Sequence, residues 1–294
     1  MRWQGRRQST NINDARGSGG GFGGGMGGLG RGGPFVIRRA GGGGIGMIIV
    51  ILIIAYFLGI NPLDLLSGQV SPGPSQQGQQ QQAGVNDEAR AFVATVLADT
   101  EDTWKKIFAA SGKDYPEPTL TLFTDSVASA CGYASAATGP FYCPGDRNVY
   151  VDLGFFTELQ QRFGAPGDFA QAYVLAHEVG HHVQNVLGIL PQVHKRQAAL
   201  GEAEANELSV KTELQADCLS GVWANHTNQK GLLEEGDVGE AMKAAAAVGD
   251  DTLQKQAQGY VVPDSFTHGS AEQRQTWFQQ GFEKGDVNAC DTFG

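Results

Sequence analysis

The stretch VLAHEVGHHV (174–183) sets the strictest condition on how this chain can fold. Two histidines and a glutamate sit within an apolar run, and polar groups buried there need partners. Read as a helix, the run places His177 and His181 four residues apart, on one face and one turn apart. Both rings then reach one point. With Glu178 beside them this is the H-E-x-x-H arrangement for a zinc ion and a general base. Neutral imidazoles hold zinc and leave it Lewis acidic, and the carboxylate carries a proton from a zinc-activated water to a leaving amine. Phe169, Tyr173, Leu175, Ala176, Val179 and Val183 make the surroundings apolar. His182 lies about 100° round the helix from His181 and is expected to face elsewhere, in a structural role.

A catalytic zinc site needs a third protein ligand and an open position. His194, Glu202, Glu204 and Glu207 lie downstream in polar, exposed-looking sequence. Glu213 is better placed, in the mixed run ELQADCL (213–219). Glu213 and Asp217 share a helical face. Glu213 is therefore the expected zinc ligand. Asp217 is expected to accept the free N–H of a zinc-bound histidine and fix its tautomer.

The rest of the chain divides by composition. Glycine is nearly every second residue between 17 and 46, which leaves too few side chains to form a core. Residues 1–60 carry Arg2, Arg6, Arg7, Arg16, Arg31, Arg38 and Arg39 against Asp14 alone, a net of +6. The whole chain is −10, so residues 61–294 carry −16. Trp3, Phe22 and Phe35 are too scattered for a nucleic-acid stacking platform, and no nucleic-acid partner is expected. Residues 45–60 form an uncharged apolar run of roughly 24 Å as a helix. The expectation is a disordered cytoplasmic tail (1–44), one transmembrane anchor (45–66) meeting the lipid bilayer through 45–60, and a Pro/Gly/Gln-rich linker (67–84). A single domain (85–294) would follow on the far side, because the arginines mark the cytoplasmic side.

Within that domain, apolar spacing predicts a first helix carrying Phe92, Val93, Val96, Leu97, Trp104, Ile107 and Phe108, capped by Asn86 or Asp87. Alternation predicts strands at 119–123 and 148–153. Helices are expected near 168–187, 196–227, 237–247 and 270–283, the last opened by Ser270 and Gln273 at capping-box spacing. The fold class is then α+β, a predominantly helical, zincin-like domain with a small sheet. Four cysteines follow the apolar run. Their even number suggests two disulfides, and proximity favours Cys131–Cys143 with Cys218–Cys290.

Three stretches together carry a family resemblance: HEVGHH, ELQADC, and THGSAEQR (267–274) followed by Trp277 and Phe278. The chain resembles the neutral zinc metallopeptidases of bacteria, whose members also begin with an Arg/Gly-rich tail and one membrane segment. More distantly it is similar to the prenyl-protease-like H-E-x-x-H peptidases, which implies a glutamate third ligand, matching Glu213. The resemblance also implies that His268 or Arg274 stabilises the charge that builds on the substrate carbonyl, with His268 the catalytic candidate. It further implies a peptide or protein substrate lying along an upstream edge strand, here 148–153. The expected protein is a single-pass protein of the bacterial cytoplasmic membrane with an extracytoplasmic peptidase domain. The alternatives are a non-catalytic zinc-stabilised binding module of the envelope and a zinc amidase acting on cell-wall peptides.

Overall fold

Thr119–Phe123 (β2) and Asn148–Asp152 (β6) alternate as strands should, and they lie side by side in parallel, with Leu120 opposite Val149 and Leu122 opposite Val151. All four side chains are buried. The computed structural model describes residues 1–16 and 79–294, with side chains described from 87 onward in the second stretch. Two further strands flank the pair. Ile12–Asp14 (β1) runs parallel to β2, and Phe141–Cys143 (β5) runs antiparallel to β6, giving the order β1-β2-β6-β5. A separate hairpin, Ser126–Ser129 (β3) with Gly132–Ser135 (β4), is tied to β5 by the Cys131–Cys143 disulfide.

This topology corrects the expectation that 148–153 is an edge strand. β6 is an interior strand, paired with β2 along 148–152 and with β5 over 148–150, so over those residues it has no open edge. Among the described residues the sheet edge next to β6 is β5, which at three residues is too short to read from alternation.

Helices make up the rest. Gln79–Ala110 (α1) and Gly154–Gln161 (α2) precede the metal-site helix Asp168–Val186 (α3). Ile189–Gln197 (α4), Glu202–Gln229 (α5), Asp237–Ala247 (α6), Asp250–Gln258 (α7) and Ala271–Lys284 (α8) follow. The helix expected over 196–227 is divided at 198–201, where Gly201 starts α5 and its N–H is accepted by the Glu204 carboxylate at 3.3 Å. The capping box of α8 forms: Ser270 Oγ accepts from the Gln273 N–H and Gln273 Oε1 from the Ser270 N–H. The core joins α1, α3, α5, α6 and α8 through Trp104, Phe169, Tyr173, Trp223, Ala244 and Phe278. Phe169 stacks on Trp223 at 5.6 Å. Each such side chain contributes about 1.5–3 kcal/mol of burial. Cys218–Cys290 then pins the C-terminal turn to α5.

The N-terminal segment departs from the expected tail. Residues 1–16 pack on the domain. β1 extends the sheet, Met1 is buried, and Trp3 meets Phe92 edge-on. The arginines find their counter-charges on the acidic body: Arg6 pairs with buried Asp99 at 2.9 Å, and Arg7 with Glu101 and Asp102. Asp99 also accepts from Trp223 Nε1, Thr227 Oγ1 and Lys230 Nζ, so one buried carboxylate joins the segment to α5.

The transmembrane part of the expected fold and the expected localisation are both overturned. Among the described residues no helix is long and apolar enough to cross a membrane. Residues 45–60 lie outside the described residues. A single crossing between residues 16 and 79 would put the N-terminal segment and the domain on opposite sides, yet they share one sheet and one core.

Candidate metal centre

α3 begins where Gly167, at φ 116°, turns the chain, and the Phe169 N–H is capped by Glu240 Oε2 at 3.1 Å. Its inner face meets α5 closely because position 180 is glycine. A Cβ there would lie 3.0 Å from the Ala216 carbonyl oxygen. That approach carries Glu213 to the two histidines. His177 Nε2 is 3.1 Å from Glu213 Oε2, and His181 Nε2 is 3.4 Å from Glu213 Oε1. The ligand atoms of all three lie within 4.8 Å of one another.

These separations fit a zinc ion. With ligand distances near 2.0–2.1 Å, two donors on one ion lie about 3.3 Å apart, close to each of these contacts, which end on different oxygens of the carboxylate. The donor set of two imidazoles and one carboxylate also leaves a fourth position open. The ring nitrogens away from this point are both engaged. His177 Nδ1 bonds Asp217 Oδ1 at 2.8 Å, and His181 Nδ1 bonds Gln184 Oε1 at 2.9 Å. Each Nδ1–H is thereby donated outward, and each Nε2 points at the shared position. Gln184 is itself fixed, donating to the Thr212 carbonyl at 2.7 Å and to Gln215 Oε1 at 3.0 Å.

Asp217 is fully buried and its charge is matched. Arg274 Nε donates to Oδ2 at 2.8 Å, Arg274 Nη2 to Oδ1 at 3.0 Å, and the Tyr173 hydroxyl to Oδ1 at 2.5 Å. Arg274 also reaches the Val248 carbonyl. Its guanidinium is spent on holding Asp217 behind His177, which removes it as the group stabilising a substrate carbonyl. Burial alone would lower His177, but the Asp217 charge and the bonds to Asp217 and Glu213 outweigh it and hold the ring at about 10. Burial would raise Glu213, but the His181 charge and bonds to both rings keep it well below the usual carboxylate range. Glu178 is buried beside them, and burial raises its carboxyl, opposed in part by His181 and His177.

His268 stands at the start of the turn into α8, half-exposed. Its Nδ1 is 3.2 Å from Asp250 Oδ1. The other Asp250 oxygen accepts the N–H groups of Thr267, His268 and Gly269. Burial lowers His268, but the Asp250 bond and the Glu213 charge outweigh it and raise the ring above its ordinary value. Its neighbour Gly269 lies against α5, where a Cβ would sit 3.2 Å from Cδ2 of Leu214, the residue after Glu213.

The structure thus joins His177, His181, Glu213 and Asp217. His194, Glu202, Glu204 and Glu207 are exposed. Sequence reasoning misses Tyr173 and Gln184, although helical spacing marks both: Tyr173 is four residues before His177 and Gln184 three after His181. A second acidic group is Asp168 with Asp237 and Glu240; the Met1 ammonium lies 2.6 Å from Asp168, 3.2 Å from Glu234 and 3.3 Å from Asp237.

His182 faces away from the ligands, as its angle predicts, and is fully buried. Its Nε2–H donates to the Pro116 carbonyl at 2.6 Å and its Nδ1 accepts from the Tyr142 hydroxyl at 3.0 Å. Burial lowers the ring from 6.5 to about 4. Between those values the unfolded chain binds more protons than the folded one, so stability falls as pH drops from 6.5 to 4. The expected loss is about 3 kcal/mol at pH 4. An NMR titration should find this imidazole titrating near 4. Titration near 6.5 would contradict the expectation.

No solved structure matches this chain. Among curated proteins, the uncharacterized protein YpfJ of Escherichia coli (strain K12) is 49% identical over 294 residues, covering 100% of this chain and 99% of the relative. The uncharacterized protein Rv2575 of Mycobacterium tuberculosis is 41% identical over 257 residues, covering 81% of this chain and 85% of that protein. The family described as "Putative neutral zinc metallopeptidase" matches residues 1–293, and with the His-His-Glu cluster in place the chain belongs to that family.

Proposed function

We propose that the chain is a zinc-dependent metallopeptidase that hydrolyses peptide bonds. One observation carries the reading: both Nε2 atoms reach the Glu213 carboxylate, at 3.1 and 3.4 Å, with both tautomers set from behind and Glu178 alongside. His177, His181 and Glu213 would hold zinc, which when bound supplies a Lewis acid that polarises the scissile carbonyl and acidifies water. Glu178 is the general base, taking the proton from the attacking water and passing it to the leaving amine. Burial, which raises its carboxyl, strengthens it as the base that takes that proton. His268, oriented through Nδ1 by Asp250, offers its other ring nitrogen to the carbonyl oxygen as negative charge builds. The free edge of β5 offers backbone groups to an extended peptide. Two disulfides suit an oxidising compartment.

The test is incubation of the purified full chain with a peptide library. Cleavage should stop with a chelator and return with zinc. Glu213→Ala should lose both stoichiometric zinc and cleavage. A zinc-loaded wild-type chain that cleaves nothing would reject the peptidase and leave a zinc-stabilised binding module.

A further inference from the structure

β5 is held in an unusual way for a strand beside a reaction centre. It pairs with β6 over only three residues, Phe141 with Tyr150, Tyr142 with Val149 and Cys143 with Asn148. Among the described residues no strand covers its other edge. Three residue pairs on one side leave its position poorly determined by the ladder alone. The Cys131–Cys143 disulfide ties its end to the hairpin and Phe141 stacks on Tyr150 at 4.8 Å, and a further constraint comes from the metal helix. The Tyr142 side chain runs inward, 9% exposed, and its hydroxyl donates to His182 Nδ1 while accepting from Asn185 Nδ2 at 2.9 Å. Asn185 also reaches the Pro144 carbonyl at 3.5 Å, just beyond the strand. The other nitrogen of His182 holds the Pro116 carbonyl, in the segment leading into β2. The Tyr115 and Tyr142 rings meet the imidazole edge-on at 5.5 and 5.4 Å, which fixes its plane.

His182 follows the ligand His181 directly, so any movement of this clasp is referred to the metal position through one peptide unit. We infer that His182 and Asn185, acting through the Tyr142 hydroxyl, are positioning residues that set the peptide-binding edge of β5 relative to the metal centre. This rests on the peptidase reading. The two histidines of the HH pair then divide the work: one ring holds the ion and the next holds the strand against which the substrate lies. The bond to be broken must fall at the metal, and displacement of a bound substrate by about 1 Å can cost a hundredfold in rate.

The test is Tyr142→Phe in the zinc-loaded full chain, which keeps the ring and removes only the hydroxyl. Two readouts are needed. Amide hydrogen exchange at 141–143 should speed up about tenfold as local opening of the strand becomes easier. For an extended peptide that the wild type cleaves, kcat/KM should fall about tenfold or more at unchanged zinc content. Asn185→Ala, which loses one donor only, should show the same changes to a smaller degree and serves if Tyr142→Phe folds poorly. Unchanged exchange in the variant would overturn the clasp. Faster exchange with kcat/KM within about twofold of wild type would overturn its role in placing substrate. Absence of cleavage by the wild type is a different result, which rejects the peptidase while the exchange measurement still decides whether the clasp holds β5.

Discussion

Glu178→Gln is expected to bind zinc as the wild type does and to lose peptide cleavage by roughly 10²–10⁴-fold. The proposed metal donors are His177, His181 and Glu213, and none of their contacts with one another passes through Glu178. Glutamine has the same length, so packing against the buried face of α3 is preserved. It cannot take a proton. The variant therefore separates metal binding from proton transfer, which Glu213→Ala does not, since that change removes a ligand. Metal analysis beside turnover on one cleaved peptide is the measurement. Wild-type turnover in the variant would reject Glu178 as base. Loss of zinc would show that its carboxylate supports the ion and that the ligand set is wrong.

The second large effect lies away from the ligands. α5 and α8 cross with their backbones in contact at two glycines. A Cβ on Gly281 would sit 1.9 Å from the Cys218 carbonyl oxygen, and one on Gly221 would sit 2.1 Å from that of Phe278. Neither neighbour is a flexible side-chain end, so the helices must separate. Gly281→Ala should destabilise the domain by about 3 kcal/mol. The strain should also reach the metal. Arg274 lies seven residues before Gly281, two helical turns along the same face. Asp217, which it holds behind His177, adjoins Cys218. Loss of such an outer partner lowers metal affinity by about 10–100-fold. Urea unfolding and chelator competition measure the two effects. Gly239→Ala is the control, because it is exposed on α6 with nothing within 4 Å of a Cβ. It should stabilise by about 1 kcal/mol. Equal behaviour of the two variants would mean that close approach of α5 and α8 does not matter.

Several features are legible in the sequence because they are local. α6 runs over the expected residues, α3 and α8 end within one residue of expectation, and β2 is as alternation predicts. The disulfide pairing favoured by proximity is the one found. Other features are hidden because they depend on partners far along the chain. Residues 1–16 look like the start of a basic tail until Asp99, Glu101 and Asp102 on α1 are placed beside Arg6 and Arg7. β1 is three residues long and becomes a strand only by lying parallel to β2, more than a hundred residues away. The short β5 has no pattern of its own, so the sequence does not show that it, and not the longer β6, ends the sheet.

The H-E-x-x-H element is settled by sequence alone, because helical periodicity is a property of the backbone and needs no partner to bring His177 and His181 to one side. Glu213 and Asp217 are narrowed by the same periodicity, yet spacing cannot say which of several downstream carboxylates approaches another helix. That is decided by Gly180, which lets α5 come close enough for one carboxylate to meet both rings. The role of Arg274 is likewise decided in three dimensions. A buried Asp217 requires a counter-charge, and the glycine crossing of α5 and α8 delivers that arginine and keeps it there.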